Sequence, residues 1–193
     1  MGTKERSKAT RKPATRSSSS SGSSSSSGHT PATLVVSITP EPIRYFKPNV
    51  TVDITLFAID KNDKLNILLI KRGKDPYQNH WALPGGFVDE KDQSLEEAAN
   101  RELYEETGVC GVKLRQLRTF GNPYRDPRGY TVSISHYGII YAKEHVKGGD
   151  DAKEAKWFKL NNLPPLAFDH AEIIDAAKRH LYDMTNGRIA KFV

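Results

Sequence analysis

Three glutamates, Glu102, Glu105 and Glu106, lie three and four positions apart in one short segment. On an α-helix residues at these spacings are neighbours on one face, so their carboxylates repel one another. They also fall near the expected end of the helix, where the macrodipole disfavours anions. Arg101 can pair with Glu105 one turn further on, but one arginine does not neutralise three carboxylates. The group therefore requires another positive partner.

A hard divalent cation suits clustered carboxylate oxygens, and Mg²⁺ or Mn²⁺ fits this chemistry. Because Mg²⁺ takes only one or two protein carboxylates as a rule, water and phosphate oxygens complete its coordination. The residues thus favour a metal site that acts on a phosphate-bearing substrate. The structural alternative is a charged face that pairs with basic residues elsewhere in the chain.

A helix must present these carboxylates, and the sequence marks both of its ends. Ser94 and Glu97 form a capping box, so we expect the helix to begin there, and Gly108 is a suitable stop. At about 100° per residue, the apolar start of the helix shares its stripe with the three glutamates. The residues of that apolar start are Leu95, Ala98 and Ala99. The stripe that packs on the protein in the first turns therefore becomes acidic in the last.

The loop before the helix reads Pro84-Gly85-Gly86. Backbone without side chains lets a carbonyl or amide approach a metal or a phosphate closely. Beside three clustered carboxylates, this interpretation is favoured over a simple turn.

The other elements predict a mixed sheet covered by helices, in the α/β class. Residues 50–57 alternate apolar and polar side chains, as in a half-buried strand, and residues 65–70 follow as its hairpin partner. Weaker strand patterns and one helical pattern complete the set: strands at 112–120, 132–142 and 155–160, and a helix at 169–183.

The first 33 of the 193 residues differ in composition from the rest. They include the run Ser17–Ser27, interrupted only by Gly22, and bury too little apolar surface to order themselves. We expect residues 1–33 to be a disordered, Ser-rich basic tail and residues 34–193 to be the folded domain. A cytoplasmic location is favoured over organelle targeting by the tail, since the tail lacks an amphipathic apolar face.

Charge and cysteine content exclude several classes of protein. The net charge is +6, and the tail contributes six basic residues against one acidic residue, so the domain carries only about +1. A nucleic-acid partner is therefore disfavoured, and no apolar run is long enough for a membrane span. Cys110 is alone, which fits a reducing compartment, and we expect it to be buried.

The glycine and the helix together resemble the Nudix box. Its helical part, Arg-Glu-aliphatic-any-Glu-Glu-any-Gly-aliphatic, is matched in full by Arg101–Val109, and Gly86 is the upstream glycine. The departure lies between them: five residues after Gly86 stands Asp92 where the box has Glu, and counting back from Arg101 gives Gln93 at that position. Either residue could fill the first acidic position.

The resemblance extends to the ADP-ribose pyrophosphatase branch of this family. It rests on "LLIKRGKDPYQNHWALPGG" from Leu68, "TFGNPYRDPRG" from Thr119 and "LPPLAFDH" from Leu163. Related transcriptional regulators of NAD metabolism share these stretches and add a winged-helix DNA-binding domain. We expect no such domain here, because no sequence follows Val193.

The resemblance implies a Nudix-type α/β/α sandwich and Mg²⁺-dependent hydrolysis, with Mn²⁺ as the alternative metal. The expected reaction converts ADP-ribose to AMP and ribose 5-phosphate. Glu102, Glu105, Glu106 and Gly86 are implied as the metal site, with Glu105, Glu106 and Arg101 in catalysis. Arg101 would hold Glu105 in its ligating rotamer.

Other roles stay open at the level of sequence. The general base can be Glu106, Glu144 or Glu154, and Asp151 can also reach a metal. His170 is expected to make either a structural hydrogen bond or a substrate contact. The residues expected to bind substrate are Arg72, Tyr124, Arg125 and Arg128.

We expect a small-molecule nucleotide as the partner, and a homodimer is an open expectation. Two other functions are carried as alternatives: a nucleotide sensor that does not cleave its ligand, and a hydrolase of other nucleotides or capped RNA.

Overall fold

The computed structural model describes residues 45–141, 146, 148–149 and 151–189. The tail predicted at residues 1–33 lies outside them, and so does Glu144. The chain divides into two units, residues 1–43 and 44–193, and the second contains all the elements below. Neither helix described in it is long and apolar enough to cross a bilayer.

Seven strands within the described residues form one mixed sheet, as predicted. Their bounds are β1 Asn49–Ile59, β2 Leu65–Arg72, β3 Trp81–Ala82, β4 Gly85–Phe87, β5 Arg115–Phe120, β6 Thr131–Tyr141 and β7 Ala152–Lys159. The strand order is β3-β2-β1-β6-β5. In addition, β4 pairs with β1 and β7 pairs with β2. Strands β1 and β6 are parallel, and the other pairs are antiparallel.

Two helices cover the two faces of this sheet, α1 at Leu95–Thr107 and α2 at His170–Met184. Alternate residues of β2 show the arrangement, since Ile67 packs in the cluster that contains α2 residues and Leu68 in the cluster that contains α1 residues. The expected α/β/α sandwich is therefore present.

The alternating pattern predicted that strand β1 is half-buried, but the strand is buried on both faces. Thr51, Asp53 and Thr55 are at most 6% exposed, and Val52 and Ile54 on the opposite face are fully buried. The reason is position, because β1 lies in the middle of the sheet with a helix over each face. Polar side chains on its α2 face are thus buried beside the glycine loop.

The ends of α1 follow from local chemistry, as predicted. The N–H of Glu97 donates to Oγ of Ser94 at 3.1 Å, and Oε2 of Glu97 accepts from the N–H of Gln93 at 2.8 Å. At the other end Gly108 has a φ of 73°, and its N–H donates to the carbonyl of Tyr104 at 2.8 Å. The glutamates therefore occupy the last two turns.

Other expectations needed adjustment. Strands β3 and β4 are two and three residues long, too short for a periodic pattern. Strand β5 begins at Arg115, three residues later than predicted. Strand β7 begins at Ala152, three residues earlier than predicted. Cys110 is exposed, not buried, because it follows the end of α1 at the surface.

Candidate active site

The three glutamates of α1 differ in burial. Glu106 is 6% exposed, whereas the side chains of Glu102 and Glu105 are 12% and 40% exposed. The prediction that all three lie on the buried stripe is wrong for Glu105. Leu103 is fully buried and shifts the stripe toward its own side of the helix, which leaves Glu105 at the edge.

Arg101 gathers several carboxylates at one end of the site. Its Nε and Nη2 donate to the two oxygens of Asp92 at 2.9 and 2.8 Å. Its Nη1 donates to Oε1 of Glu102 at 2.8 Å and to Oε2 of Glu105 at 3.1 Å. The hydrogen bond from Arg101 lowers the pKa of Asp92 to about 2. Arg101 thus holds Glu105, as predicted, and also holds Glu102.

Asp92, not Gln93, is the residue that faces the helix at the irregular position of the box. The Asp92 side chain is 3% exposed and anchors Arg101. Gln93 is exposed, and its side chain donates to the carbonyl of Lys91. The longer loop therefore places an acid on the arginine although the spacing differs from the box.

Glu106 lies beyond the reach of Arg101. Within the described part of the chain, its one direct hydrogen-bond partner is the backbone N–H of Gly85, which donates to Oε2 at 2.8 Å. Burial, with a smaller contribution from the nearby carboxylates of Glu102 and Asp53, raises the pKa of Glu106 to about 8. The Gly85 N–H and Arg72 act in the opposite direction. A cation at this carboxylate would relieve the cost of burying its charge.

The two glycines before the helix permit this contact. Gly85 has a φ of 153°, and a Cβ there would lie 2.1 Å from the carbonyl oxygen of Val52. A Cβ on Gly86 would lie 2.6 Å from Oε1 of Glu102. Glycine at 85 therefore lets strand β4 lie close against β1, and glycine at 86 leaves room for the carboxylate of Glu102.

A pocket of about 310 Å³ opens above these groups. Glu102 and Glu106 line its acidic side, and Arg72, Lys74 and Arg128 line it with positive charge. The complete lining is Ile70, Arg72, Gly73, Lys74, Gly85, Gly86, Phe87, Val88, Asp89, Arg101, Glu102, Glu106, Arg128 and Asp151. Acidic and basic walls in one pocket suit a cation and a phosphate together.

The residues fit a hard divalent ion in part. Among the described residues no group of three or more His, Cys, Asp or Glu side chains is arranged to hold a metal. Glu102 and Glu106 nevertheless both face the pocket, and Mg²⁺ commonly takes only one or two protein carboxylates. Glu105 does not line the pocket, because Arg101 holds it at the rim.

Arg72 and Arg128 line the pocket, as expected for residues that bind substrate. Nε of Arg72 donates to the carbonyl of Pro76 at 2.8 Å, and burial, then Arg128, lower the pKa of Arg72. Arg128 is 39% exposed and forms a two-pronged contact with Asp126, at 3.0 Å from Nε and 2.7 Å from Nη2. Both arginines are thus held in place at the pocket wall.

Arg125 does not reach this pocket in the structure. Its side chain is 5% exposed, and it donates from Nε and Nη2 to Asp169 at 2.8 and 2.6 Å. Its Nη2 also lies 3.4 Å from Asp53. Nε and Nη2 of Arg125 are therefore engaged with buried carboxylates, and Arg125 lines a smaller neighbouring cavity with Gly85 and Gly86, so its direct contact with substrate stays a prediction.

His170 makes the structural hydrogen bond that was one of its two expected roles. Its Nδ1 accepts from the N–H of Leu83 at 2.8 Å, and its Nε2 lies 3.4 Å from Asp53. Burial is the main cause of its lowered pKa, so the ring is neutral at pH 7. An accepting Nδ1 requires the proton on Nε2, which points toward Asp53.

Several other expected residues lie away from the pocket. Tyr124 is 95% exposed and does not line it. Glu154 is exposed on β7. Asp151 does line the pocket, but its carboxylate pairs with Lys74. Of the described candidates for the general base, Glu106 is the one that lines the pocket, and its role stays a prediction.

Three residues of the site were not singled out from the sequence: Asp53, Asp126 and Phe168. Asp53 looked like the polar side of a half-buried strand, although a carboxylate in an apolar strand is itself a signal of a buried partner. Asp126 stands two residues before Arg128, and this spacing of an acidic and a basic residue was not recognised as an ion pair. Phe168 lies within the quoted "LPPLAFDH" stretch, with no signal of its own.

The comparisons with known proteins agree with this geometry. The NUDIX domain model matches residues 48–177. An ADP-ribose pyrophosphatase of Methanocaldococcus jannaschii is 48% identical over 130 residues, 67% of this chain and 73% of that protein. The ADPR responsive transcriptional repressor NtrR of Acinetobacter baylyi is 38% identical over 144 residues, 73% of this chain but only 57% of its own length.

Solved structures show the same relationship. The NUDIX domain of Shewanella oneidensis NrtR, complexed with ADP ribose, superposes with a TM-score of 0.67 at 35% identity, over 71% of this chain and 90% of that one. A MutT/nudix family protein from Enterococcus faecalis gives a TM-score of 0.68 at 38% identity, over 75% of this chain and 66% of that one. The chain therefore belongs to the NUDIX family. With its box and its pyrophosphatase relative, it is a Nudix pyrophosphohydrolase.

Proposed function

We propose that this enzyme hydrolyses ADP-ribose to AMP and ribose 5-phosphate with Mg²⁺, for which Mn²⁺ can substitute. The observation that carries the proposal is the pocket, whose lining combines the carboxylates of Glu102 and Glu106 with the guanidinium groups of Arg72 and Arg128. A diphosphate with a bound divalent ion presents both signs of charge to such walls. The similarity to an ADP-ribose pyrophosphatase supports this choice of substrate.

The chain's own residues would hold the ion at the acidic wall. Glu102 and Glu106 supply carboxylate oxygens, and the Gly85–Gly86 backbone lies against both. Glu105 joins them only if its carboxylate turns away from Arg101, which holds it at 3.1 Å. A divalent ion there supplies positive charge to the diphosphate oxygens and acidity to the attacking water.

The basic wall would bind and orient the diphosphate. Arg72 and Arg128 present planar guanidinium groups, which can hold phosphate oxygens through two parallel hydrogen bonds. Water attacks one phosphorus of the diphosphate, the bridging P–O bond breaks, and the leaving phosphate keeps the bridging oxygen. Glu106 is the carboxylate inside the pocket to which the water's proton can pass.

A nucleotide sensor is the second candidate. The specific observation that favours it is the similarity to an ADPR responsive transcriptional repressor and to NrtR, whose NUDIX domain is solved with ADP ribose. A sensor would bind ADP-ribose in the same pocket and release it unchanged. Turnover thus separates the two functions.

A homodimer and a cytoplasmic location stay predictions.

The test is a substrate panel with Mg²⁺, read by chromatography of the products. It contains ADP-ribose, NADH, diadenosine polyphosphates, oxidised dGTP and capped RNA. We expect ADP-ribose to give AMP and ribose 5-phosphate at the highest kcat/KM. Glu106→Gln should lower kcat by roughly a hundredfold or more, whereas Glu96→Gln, on the exposed first turn of α1, should match the parent. Tight ADP-ribose binding without any turnover would establish the sensor instead.

A further inference from the structure

Phe168 contacts both arginines of the pocket. Its ring centroid is 4.8 Å from Cζ of Arg72 and 5.7 Å from Cζ of Arg128. Both distances are within the range of cation–π attraction. One aromatic ring therefore contacts both guanidinium groups that face the acidic wall.

The backbone of Phe168 is held in an unusual conformation. Its φ is 52°, in the left-handed region that bulky side chains rarely adopt. The neighbours on both sides are fixed, because the N–H of Ala167 donates to the carbonyl of Trp81 at 2.8 Å and Asp169 binds Arg125. Such strain persists where the surroundings determine it, and it is concentrated at functional sites. In this conformation the ring of Phe168 lies within cation–π range of both arginines.

The two arginines need such a spacer, because their like charges repel. Each is anchored through Nε and Nη2, Arg72 to the carbonyls of Pro76 and Lys74 and Arg128 to the carboxylate of Asp126. In the described part of the chain, Nη1 of each arginine has no hydrogen-bond partner, so donors remain for an anion. Besides the hydrogen bonds that hold each arginine and the Phe87 ring 4.9 Å from Arg128, the ring of Phe168 is a contact that the two guanidinium groups share.

We propose that Phe168 is a positioning residue that holds Arg72 and Arg128 in the orientation that binds one diphosphate. The expected effect on ADP-ribose hydrolysis rests on the proposed function. The expected effect on diphosphate binding does not, since the same two arginines would bind any diphosphate. Phe168 acts through the arginines and performs no chemistry itself. Its loss should therefore weaken binding of the diphosphate and leave the chemical step largely unchanged.

The test compares Phe168→Leu, Phe168→Tyr and Phe158→Leu in the full chain. Leucine keeps apolar bulk without a ring, and tyrosine keeps the ring. Phe158 is a matched control, because it is also partly buried, with an aromatic neighbour at 4.6 Å and a lysine at 5.6 Å, but its ring contacts are Trp81 and Lys156 instead of the two arginines. Calorimetry measures the Kd for inorganic pyrophosphate without metal, and kinetics with ADP-ribose and Mg²⁺ measures kcat and KM separately.

We expect Phe168→Leu to raise the Kd for pyrophosphate and the KM for ADP-ribose about tenfold, with kcat within about twofold of the parent. Phe168→Tyr should restore most of the affinity, and Phe158→Leu should keep the parent's Kd and KM. The NMR signals of the Arg72 side chain should lose their ring-current shift in the leucine variant, whereas those of Arg128 keep the contribution of the Phe87 ring at 4.9 Å. Should that variant fail to fold, Phe168→Met replaces it.

An unchanged Kd in Phe168→Leu overturns the inference, whatever happens to turnover, and so does a parent that binds no pyrophosphate. A fall in kcat at constant Kd also overturns it, because it would place Phe168 in the chemical step. A parent that binds pyrophosphate through Phe168 but hydrolyses no ADP-ribose refutes the proposed reaction and leaves the role of Phe168 intact.

Discussion

The backbone N–H of Gly85 donates a 2.8 Å hydrogen bond to Oε2 of Glu106, joining the glycine loop to the last turn of α1. The next glycine contacts the neighbouring carboxylate, since a Cβ on Gly86 would lie 2.6 Å from Oε1 of Glu102. The loop and the helix thus form one unit, in which each glycine serves a different glutamate.

Alanine at these two glycines should have different effects. At Gly85 the added Cβ meets rigid backbone, 2.1 Å from the oxygen of Val52, at a φ of 153°. We expect Gly85→Ala to lower the free energy of unfolding by about 3 kcal/mol or more. At Gly86 the added Cβ meets only the end of the Glu102 side chain, which can rotate away. Gly86→Ala should therefore cost about 1 kcal/mol or less and still reduce kcat about a hundredfold.

Urea unfolding and steady-state kinetics check both variants. Gly111→Ala is the control, because Gly111 also has a positive φ of 70° but its Cβ would meet nothing within 4 Å. It should lose about 1 kcal/mol of stability and no activity. A Gly86→Ala enzyme with the parent's kcat would remove Glu102 from the metal site.

The stability of the metal-free protein should depend on pH through Glu106. Its pKa is about 8 in the folded state, above the ordinary value of 4.5, so the folded state binds its proton more tightly than the unfolded state. The resulting stability is present below about pH 4.5 and is lost as pH rises through about 8. We expect this contribution to be roughly 2–5 kcal/mol, at about 1.4 kcal/mol per pKa unit.

Urea unfolding in EDTA at pH 5 and pH 8 measures this difference. In Glu106→Gln the group does not titrate, so the variant should gain stability relative to the parent as pH rises. Equal pH dependence in the two proteins would show that the Glu106 carboxylate is already compensated without metal. Mg²⁺ should restore the parent's stability at pH 8, because the ion binds the ionised carboxylate.

The parts of the fold that the sequence predicted are those set by local chemistry. The start and end of α1 follow from Ser94, Glu97 and Gly108, each of which acts within four residues of the helix end. The mixed sheet follows from apolar strands that do not alternate strictly with helices. The burial of β1 on both faces was missed, because a single strand's pattern does not reveal what covers its polar side.

The site was predicted where one helix carries it and missed where distant segments meet. Arg125 and Arg128 stand three residues apart in one loop and have the same chemistry. Tertiary partners separate them: Arg125 meets Asp169 and Asp53, which are 44 and 72 residues away, while Arg128 meets Asp126 and the pocket. No local pattern distinguishes the two arginines.

Asp92 should matter far more than Gln93. Asn at Asp92 removes a charge that is 3% exposed and leaves Arg101 without its two-pronged partner. We expect Asp92→Asn to lower the free energy of unfolding by about 2 kcal/mol and to reduce kcat as Arg101 loosens. Gln93→Ala, at an exposed side chain, should stay within about 0.5 kcal/mol of the parent.

The acid side of the stability profile gives a second check on Asp92. Its folded pKa of about 2 lies below the ordinary value of 3.8, so the stability it contributes is present above pH 3.8 and is lost as pH falls toward 2. The difference between parent and Asp92→Asn, measured by urea unfolding, should therefore shrink from pH 5 to pH 2.5. A constant difference would indicate lost packing instead of a lost ion pair.

Lysine at Arg125 and at Arg128 should separate stability from substrate binding. Arg125 is 5% exposed between two carboxylates, and lysine cannot reproduce its paired donors, so Arg125→Lys should lower the free energy of unfolding by about 2–4 kcal/mol.

Arg128 is 39% exposed at the pocket wall, so Arg128→Lys should change stability by less than about 1 kcal/mol. Its effect should appear in binding, as a rise in KM for ADP-ribose of about ten- to a hundredfold, because the planar contact with phosphate is lost. Urea unfolding and steady-state kinetics with ADP-ribose measure the two effects. A normal KM in Arg128→Lys together with a raised KM in a fully stable Arg125→Lys would return the substrate contact to Arg125.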